Sequence, residues 1–237
     1  METKTFVVAG ASGAVGEGIV AELLEKGYKV IAIVRNKAKE DLLKSFLSEN
    51  EVQTQSLICI NNTFDNEQEI NQLTKQLLNY DIDVAIASLG GWYNGKLLYQ
   101  IPITDMQQAV QGGLFSHLYF AKAVLPIFEQ KGKGTYILIN GGASEFVAPH
   151  SGIISVMAAA QKMMTEVLFK EIKNTPIKVY AVAAFEMVRT RKRPSNNGLW
   201  LGAAEITQYI LNLITAGTSQ NYWHKLQQIE DLNKYAI

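Results

Sequence analysis

Short apolar runs rich in Val and Ile alternate with longer amphipathic stretches along most of the chain. The runs cover residues 5–9, 29–34, 56–60, 83–87, 135–139 and 178–183. Most carry few interspersed polar residues, as expected of strands buried on both faces. Residues 14–26, 37–48, 67–80, 103–129, 151–172 and 203–215 lie between or after them and read as helices. This alternation predicts the α/β class, with a doubly wound parallel sheet of about six or seven strands and helices on both faces. No internal repeat, low-complexity tract or Pro/Gly-rich linker interrupts the pattern, so one domain over residues 1–237 is expected.

Two of the helical stretches are too apolar for one exposed face. Residues 151–172 include Ile153, Ile154, Val156, Met157, Met163, Met164, Val167 and Leu168, spread around the helix. Residues 114–128 are similarly rich in Leu, Phe, Tyr and Ala. Deep burial within one chain is one reading. A subunit interface is the other, and the scarcity of large exposed apolar patches on monomers favours it. The expectation is a homo-oligomer, dimer or tetramer, assembled through residues 104–129 and 151–172.

Composition narrows the partners. Lys and Arg number 22 and Asp and Glu number 22, so no basic excess advertises nucleic acid. The lysines between residues 37 and 44 are interrupted by Glu40 and Asp41 and read as a solvated helix face. The one cysteine, Cys59, excludes an intramolecular disulfide and fits a reducing compartment; its apolar run predicts a buried thiol. No stretch of about 18 apolar residues suggests a membrane span. The first residues lack a basic flank and hydrophobic segment of a secretory signal. A soluble, cytoplasmic protein without a metal site is expected.

The strongest chemical motif is Ala9-Gly10-Ala11-Ser12-Gly13-Ala14-Val15-Gly16, between the first strand and the first helix. One glycine permits the tight turn, one lets backbone N–H groups approach a pyrophosphate, and one lets helix pack on strand. The helix N-terminus that follows offers free donors and a positive dipole end to an anion. A glycine triplet is a weak signal in a chain with 18 glycines. Its place inside a strand–helix–strand unit is what gives it weight. The second strand ends Val34-Arg35-Asn36-Lys37. An acidic residue there would accept from a ribose 2′-OH, whereas arginine accommodates a 2′-phosphate. Arg35, with help from Lys37, points to NADP over NAD; the bland alternative is a solvated arginine at a strand end.

With these features the chain resembles the short-chain dehydrogenase/reductase family, a Rossmann-type fold, from residue 5 to about 215. The Gly10/Gly13/Gly16 spacing is closer to that of extended and atypical members. The resemblance implies cofactor contacts from Gly10, Ser12, Gly13, Ala14, Val15, Gly16 and Arg35. Asn62, in Asn62-Thr63-Phe64-Asp65, would take an adenine contact. Ser88, Leu89 and Gly90 stand in the segment where the family has Asn-Asn-Ala-Gly. Val188 and Thr190 would lie near the nicotinamide carboxamide, with Phe185-Glu186 replacing Pro-Gly.

The family's catalytic residues are not where the resemblance would put them. No tyrosine in the chain is followed by lysine four positions on. The tyrosine position falls at Ile154 or Ser155 and the lysine position at Ala158 or Ala159. The serine position falls at Asn140, Gly141 or Gly142, and the asparagine position near Gly113. Neither Ile nor Ser replaces a phenol tuned as a general acid, and without the ammonium the tuning charge is gone. Ser155 and Glu186 are the weak replacement candidates. Lys162 reads as reaching the cofactor or as a surface lysine, His150 as entering a substrate cleft or idle, and His117 as a satisfied packing residue. Trp92 and Tyr93 are candidate pocket walls. The cluster Arg189-Thr190-Arg191-Lys192-Arg193-Pro194 is either an anion-binding lid or a solvated loop, with Trp200 packing it onto the body. Three functions remain open: an oxidoreductase with unusual acid–base residues, a catalytically silent NADP-binding sensor or partner, and an interaction protein with a decayed pocket. The glycine spacing and Arg35 speak against the third.

Overall fold

In the computed structural model residues 3–191, 193–194, 200–217, 220–228 and 230–232 are described. The chain folds as β1 (Thr5–Ala9), α1 (Gly16–Glu25), β2 (Lys29–Val34), α2 (Lys37–Glu49), β3 (Leu57–Asn61), α3 (Glu67–Leu77) and β4 (Val84–Ala87). It continues as α4 (Ile103–Val110), α5 (Ser116–Lys131), β5 (Gly134–Gly141), α6 (Gly152–Glu171), β6 (Ile177–Ala184), α7 (Ala203–Ala216) and β7 (Trp223–Leu226). The seven strands pair in the order β3-β2-β1-β4-β5-β6-β7, every pair parallel. The order reverses between β1 and β4. A crevice for ligands opens at such a switch point, beyond the carboxyl ends of the strands.

Strand pleating divides the core in two. Val7 and Ala9 of β1 face the cluster built with α3, α5 and α6, whereas Phe6 and Val8 face the one built with α1, α2 and α7. Helix starts follow side-chain chemistry: Asn36 and Asn66 accept from the backbone N–H groups of Lys39 and Glu69, at 3.1 and 3.0 Å. Gly132, at φ +71°, ends α5 in the left-handed conformation that favours glycine.

Several details depart from the sequence pattern. The single helix expected over 103–129 is broken by a π-helical turn at Gln111–Phe115. Ser116 Oγ donates to the Gln111 carbonyl at 2.9 Å, and Gln161 Nε2 on α6 donates to that of Gly113 at 2.5 Å. Cys59 is half-buried, not buried, because β3 is an edge strand that leaves neighbouring Ile58 38% exposed. Its thiol is still pushed up in pKa, by partial burial first. Strand β7 has no counterpart among the apolar runs, being four residues of which two, His224 and Lys225, are polar.

Helix α6 is the one helix among the described residues long and apolar enough on average to cross a membrane, although Ser155, Gln161, Lys162, Thr165 and Glu166 interrupt its apolar positions. It packs on β5 and β6, and core helices of sheet proteins share that composition. Ile153, Met157, Ala158, Gln161 and Thr165 form its buried face, while Val156, Met163 and Val167 stay exposed on the single chain.

Candidate functional site

The glycine loop closes on itself at the carboxyl end of β1. Gly10 has φ +73°, and a Cβ there would strike the carbonyl oxygen of Ser88. A Cβ on Gly16 would strike the carbonyl of Gly10. Gly13 donates its N–H to Gly10 O at 2.9 Å, and the next turn begins with Glu17 N–H to Gly13 O at 2.9 Å. Any side chain at Gly10 or Gly16 would therefore unmake the loop, and the space it leaves at the N-terminus of α1 suits phosphate oxygens.

Arg35 lies exposed just past β2, without a hydrogen bond or ion pair among the described residues. Lys37 is committed elsewhere: its ammonium meets Asp41 at 3.0 Å and Glu40 at 3.1 Å, and Asp41, then Glu40, raise its pKa. Glu40 in turn is held down to about 2, by Lys44 first and then Lys37. The glycine cradle and the uncommitted guanidinium thus fit the phosphates of a dinucleotide.

Around this loop the other expected contacts are arranged as follows. Asn62 is buried, its amide donating to Glu69 O and accepting from Phe64 N, each at 3.0 Å. It shapes a loop in which Phe64 adopts φ +58°. Ser88 continues the β1–β4 ladder through its N–H to Ala9 O at 3.0 Å. Leu89 O accepts from His117 Nε2 at 3.1 Å, and Gly90 turns the chain away with φ +122°. Val188 is half-buried against the core, and Thr190 forms an isolated bridge with Arg193.

Neither weak catalytic candidate meets an activating group among the described residues. Ser155 Oγ accepts from Ala148 N at 3.2 Å and donates to Phe146 O at 3.3 Å, tying the 146–148 loop to α6. Glu186 is exposed. Where the resemblance would put the family's tyrosine, Ile154 packs beside the buried Ile101, Ile153 and Met157, with Tyr93, Met106 and Leu114 also against them. Gly113 lies under Met157, whose Cγ is 3.4 Å from where a Cβ would be. Asn140 donates to Ala158 O at 3.0 Å and accepts from Gly141 N at 2.7 Å, fastening α6 to β5.

The remaining candidates have partners that sequence could not supply. Lys162 pairs with Glu145 at 2.5 Å and lies 4.8 Å over the Trp223 ring. Lys225 holds the other oxygen of Glu145 at 2.6 Å. The two lysines, Lys162 first, pull the Glu145 pKa down. His150, at φ +62°, exchanges hydrogen bonds with Gly95: Gly95 N–H to His150 O at 2.9 Å and His150 Nδ1 to Gly95 O at 3.0 Å. His117 is not fully satisfied, because its buried Nδ1 has no partner among the described residues.

Three arginines of the segment after β6 are docked. Arg189 reaches Glu205 of α7 at 3.4 Å. Arg191 reaches Glu17 of α1 at 2.9 Å and stacks 5.4 Å from the Phe46 ring of α2. Arg193 lies 5.6 Å over the ring of Trp92, itself 57% exposed after β4. Lys192 falls outside the described residues; Trp200 is half-buried beside buried Leu201, whose carbonyl accepts from Arg189 N at 2.7 Å. Sequence reasoning missed Glu17, which no local signal ties to a partner 174 residues away. Among the described residues, no cluster of His, Cys, Asp and Glu could hold a metal.

Residues 4–197 match the family described as short chain dehydrogenase, and the chain belongs to that family. An uncharacterized oxidoreductase of Staphylococcus aureus (strain USA300) is 30% identical over 183 residues, 76% of each chain. One of Staphylococcus haemolyticus (strain JCSC1435) is 24% identical over 182 residues, again 76% of each. Among solved structures, a short-chain type dehydrogenase/reductase from Mycobacterium ulcerans superposes with TM-score 0.83 at 15% identity, covering 98% of this chain and 91% of its own. ElxO with NADP bound gives 0.80 at 16%, covering 95% and 98%. A short chain dehydrogenase from Burkholderia cenocepacia J2315 in complex with NADP gives 0.78 at 18%, covering 98% and 92%. These similarities carry the fold.

Proposed function

We propose that the chain binds NADP(H) at the carboxyl ends of β1, β2 and β4 and belongs to the oxidoreductases that use this cofactor. The observation that carries the reading is the pairing of a glycine loop that admits no side chain with an exposed, uncommitted Arg35. A dianionic 2′-phosphate would meet that guanidinium in bidentate fashion, whereas a 2′-OH would gain little from it. Two of the structural neighbours carry NADP, which supports the choice. The loop would hold the pyrophosphate on backbone N–H groups, and the bound group would supply hydride transfer.

The test is a fluorescence titration with NADPH and NADH, on the wild type and on Arg35→Ala. NADPH affinity is expected to fall on substitution by about 10- to 100-fold, the worth of a charged hydrogen-bonded pair, while NADH affinity stays level. Equal loss for both nucleotides, or no loss for either, overturns the preference. Neither nucleotide binding to the wild type overturns the cofactor.

A second reading is favoured by one specific observation. Of the positions expected for the family's tyrosine and asparagine, Ile154 packs in the small apolar cluster with Met157, Gly113 lies against Met157, and Ser155 is spent on a loop. A protein built so binds the dinucleotide and reports its state without turning it over. NADPH oxidation with a panel of carbonyl compounds separates the two: turnover above solvent background favours the enzyme, and saturable binding without turnover favours the sensor.

The quaternary expectation belongs here too. The exposed Phe115, Leu118, Val156, Met163 and Val167 support pairing of α5 and α6 with a second copy.

A further inference from the structure

We propose that His117 is a positioning residue for the dinucleotide site, locking the loop at residues 88–90 against the glycine loop. This rests on the dinucleotide reading above. The loop has one backbone tie to the sheet, Ser88 N–H to Ala9 O at 3.0 Å, and its one polar side chain, that of Ser88, makes no hydrogen bond among the described residues. It is gripped from two sides instead. On one side the Ser88 carbonyl lies where a Gly10 side chain would stand. On the other the Leu89 carbonyl turns into the protein and meets His117 Nε2 at 3.1 Å. Gly90, at φ +122°, then releases the chain toward Trp92.

The imidazole is a costly way to fill that space, and the cost identifies its use. His117 is fully buried, and a carbonyl only accepts, so Nε2 carries the proton. Nδ1 is then an acceptor with no donor among the described residues. A buried acceptor left without a partner disfavours the fold, and an unbranched side chain of similar size would remove that penalty while leaving the Leu89 carbonyl without its donor. What the imidazole alone supplies is its hold on Leu89. Its own place is fixed from below, since Tyr136 on β5 donates its hydroxyl to the His117 carbonyl at 3.3 Å. The π turn just before it is pinned to the loop after β3 as well, through Gln111 Nε2 and Phe64 O at 3.2 Å. One helix start thereby references two loops of the crevice to each other.

The test uses the full chain and two variants, His117→Met and His117→Gln, each measured for NADPH affinity and for melting temperature. Methionine fills the volume without a donor; glutamine places an amide N–H near where imidazole Nε2–H lies. His117→Met is expected to melt close to the wild-type temperature, the relief at Nδ1 offsetting the lost bond to Leu89, yet bind NADPH about tenfold more weakly, the worth of one hydrogen bond to the loop. His117→Gln is expected to bind within about threefold of wild type. A purely structural role would move the melting temperature and leave the affinity alone. Wild-type affinity in a folded His117→Met, or a loss in His117→Gln as large as in His117→Met, overturns the inference. If His117→Met does not fold, His117→Gln decides alone, and a folded His117→Gln that binds about tenfold more weakly overturns it. Wild-type protein that binds neither NADPH nor NADH overturns the dinucleotide reading, and this inference with it.

Discussion

Replacing Arg191 with alanine probes how the segment after β6 is held over the first helix. The guanidinium contacts both carboxylate oxygens of Glu17, through Nε at 2.9 Å and Nη2 at 3.1 Å. Glu17 has a side chain only 4% exposed, whereas that of Arg191 is 36% exposed. Two opposite charges about 3 Å apart attract by roughly 5–6 kcal/mol at an effective dielectric near 20, before desolvation and side-chain entropy are subtracted. Exposed pairs net about 0–1 kcal/mol, and losing one partner of a buried pair costs about 3–5. This pair has one partner on each side of that divide, so a loss of about 2 kcal/mol is expected. For a chain of this size that lowers the melting temperature by about 4–8 °C. Glu17→Gln and the double variant complete the cycle. Because glutamine leaves no buried charge behind, Arg191→Ala should cost less in its presence, with a coupling of about 1 kcal/mol. Urea unfolding of the four proteins is the assay. Strict additivity, or an Arg191→Ala loss below about 0.5 kcal/mol, would show that the pair does not hold the segment.

Two further outcomes follow from the same packing. Burial holds the His117 pKa at about 4 against 6.5 for the free side chain. The unfolded chain therefore takes a proton that the native one refuses, and stability falls as pH drops from 6.5 toward 4, by about 2 kcal/mol at pH 5. In urea unfolding at pH 7 and pH 5, His117→Met should lose less stability than wild type; equal losses would refute the assignment. Met163 is 59% exposed on the single chain, so Met163→Glu should leave monomer stability unchanged within about 0.5 kcal/mol while reducing the assembly size seen by light scattering. An unchanged mass would exclude this face of α6 as the contact.

Strands β1 and β2 were legible in full, matching the runs 5–9 and 29–34, whereas β5 and β6 extend past the runs 135–139 and 178–183 to Gly134–Gly141 and Ile177–Ala184. Gly27, at φ +81°, turns the chain into β2 and Asn36 caps the helix after it, so the run between them is bounded at both ends. The glycine loop was legible for a similar reason: three glycines at a strand–helix junction have few other uses. Long-range polar pairing was not legible. Arg191 could be read only as part of an anion-binding lid or of a solvated loop, because its partner lies 174 residues earlier and has no local mark. His117 read as packing because nothing near it in the chain announces the Leu89 carbonyl, 28 residues back. The π turn was hidden by the same periodicity that revealed its flanking helices, since apolar spacing is regular on each side of it. Strand β7 was lost because two of its four residues are polar.

That π turn fixes the residue count of the segment. A turn of five residues closing i to i+5 holds about one residue more than an α-turn, and one residue is about 100° of helix rotation. Deleting Gly112 would let α4 run straight into α5 and swing every later side chain by that angle. Phe120 and Val124 would leave the core, and His117 would face away from Leu89. Point substitutions at Gln111–Phe115 change one contact each, but a one-residue gap there re-indexes a 16-residue helix. Homologues that keep this arrangement are therefore expected to vary more in residue type across the turn than in its length.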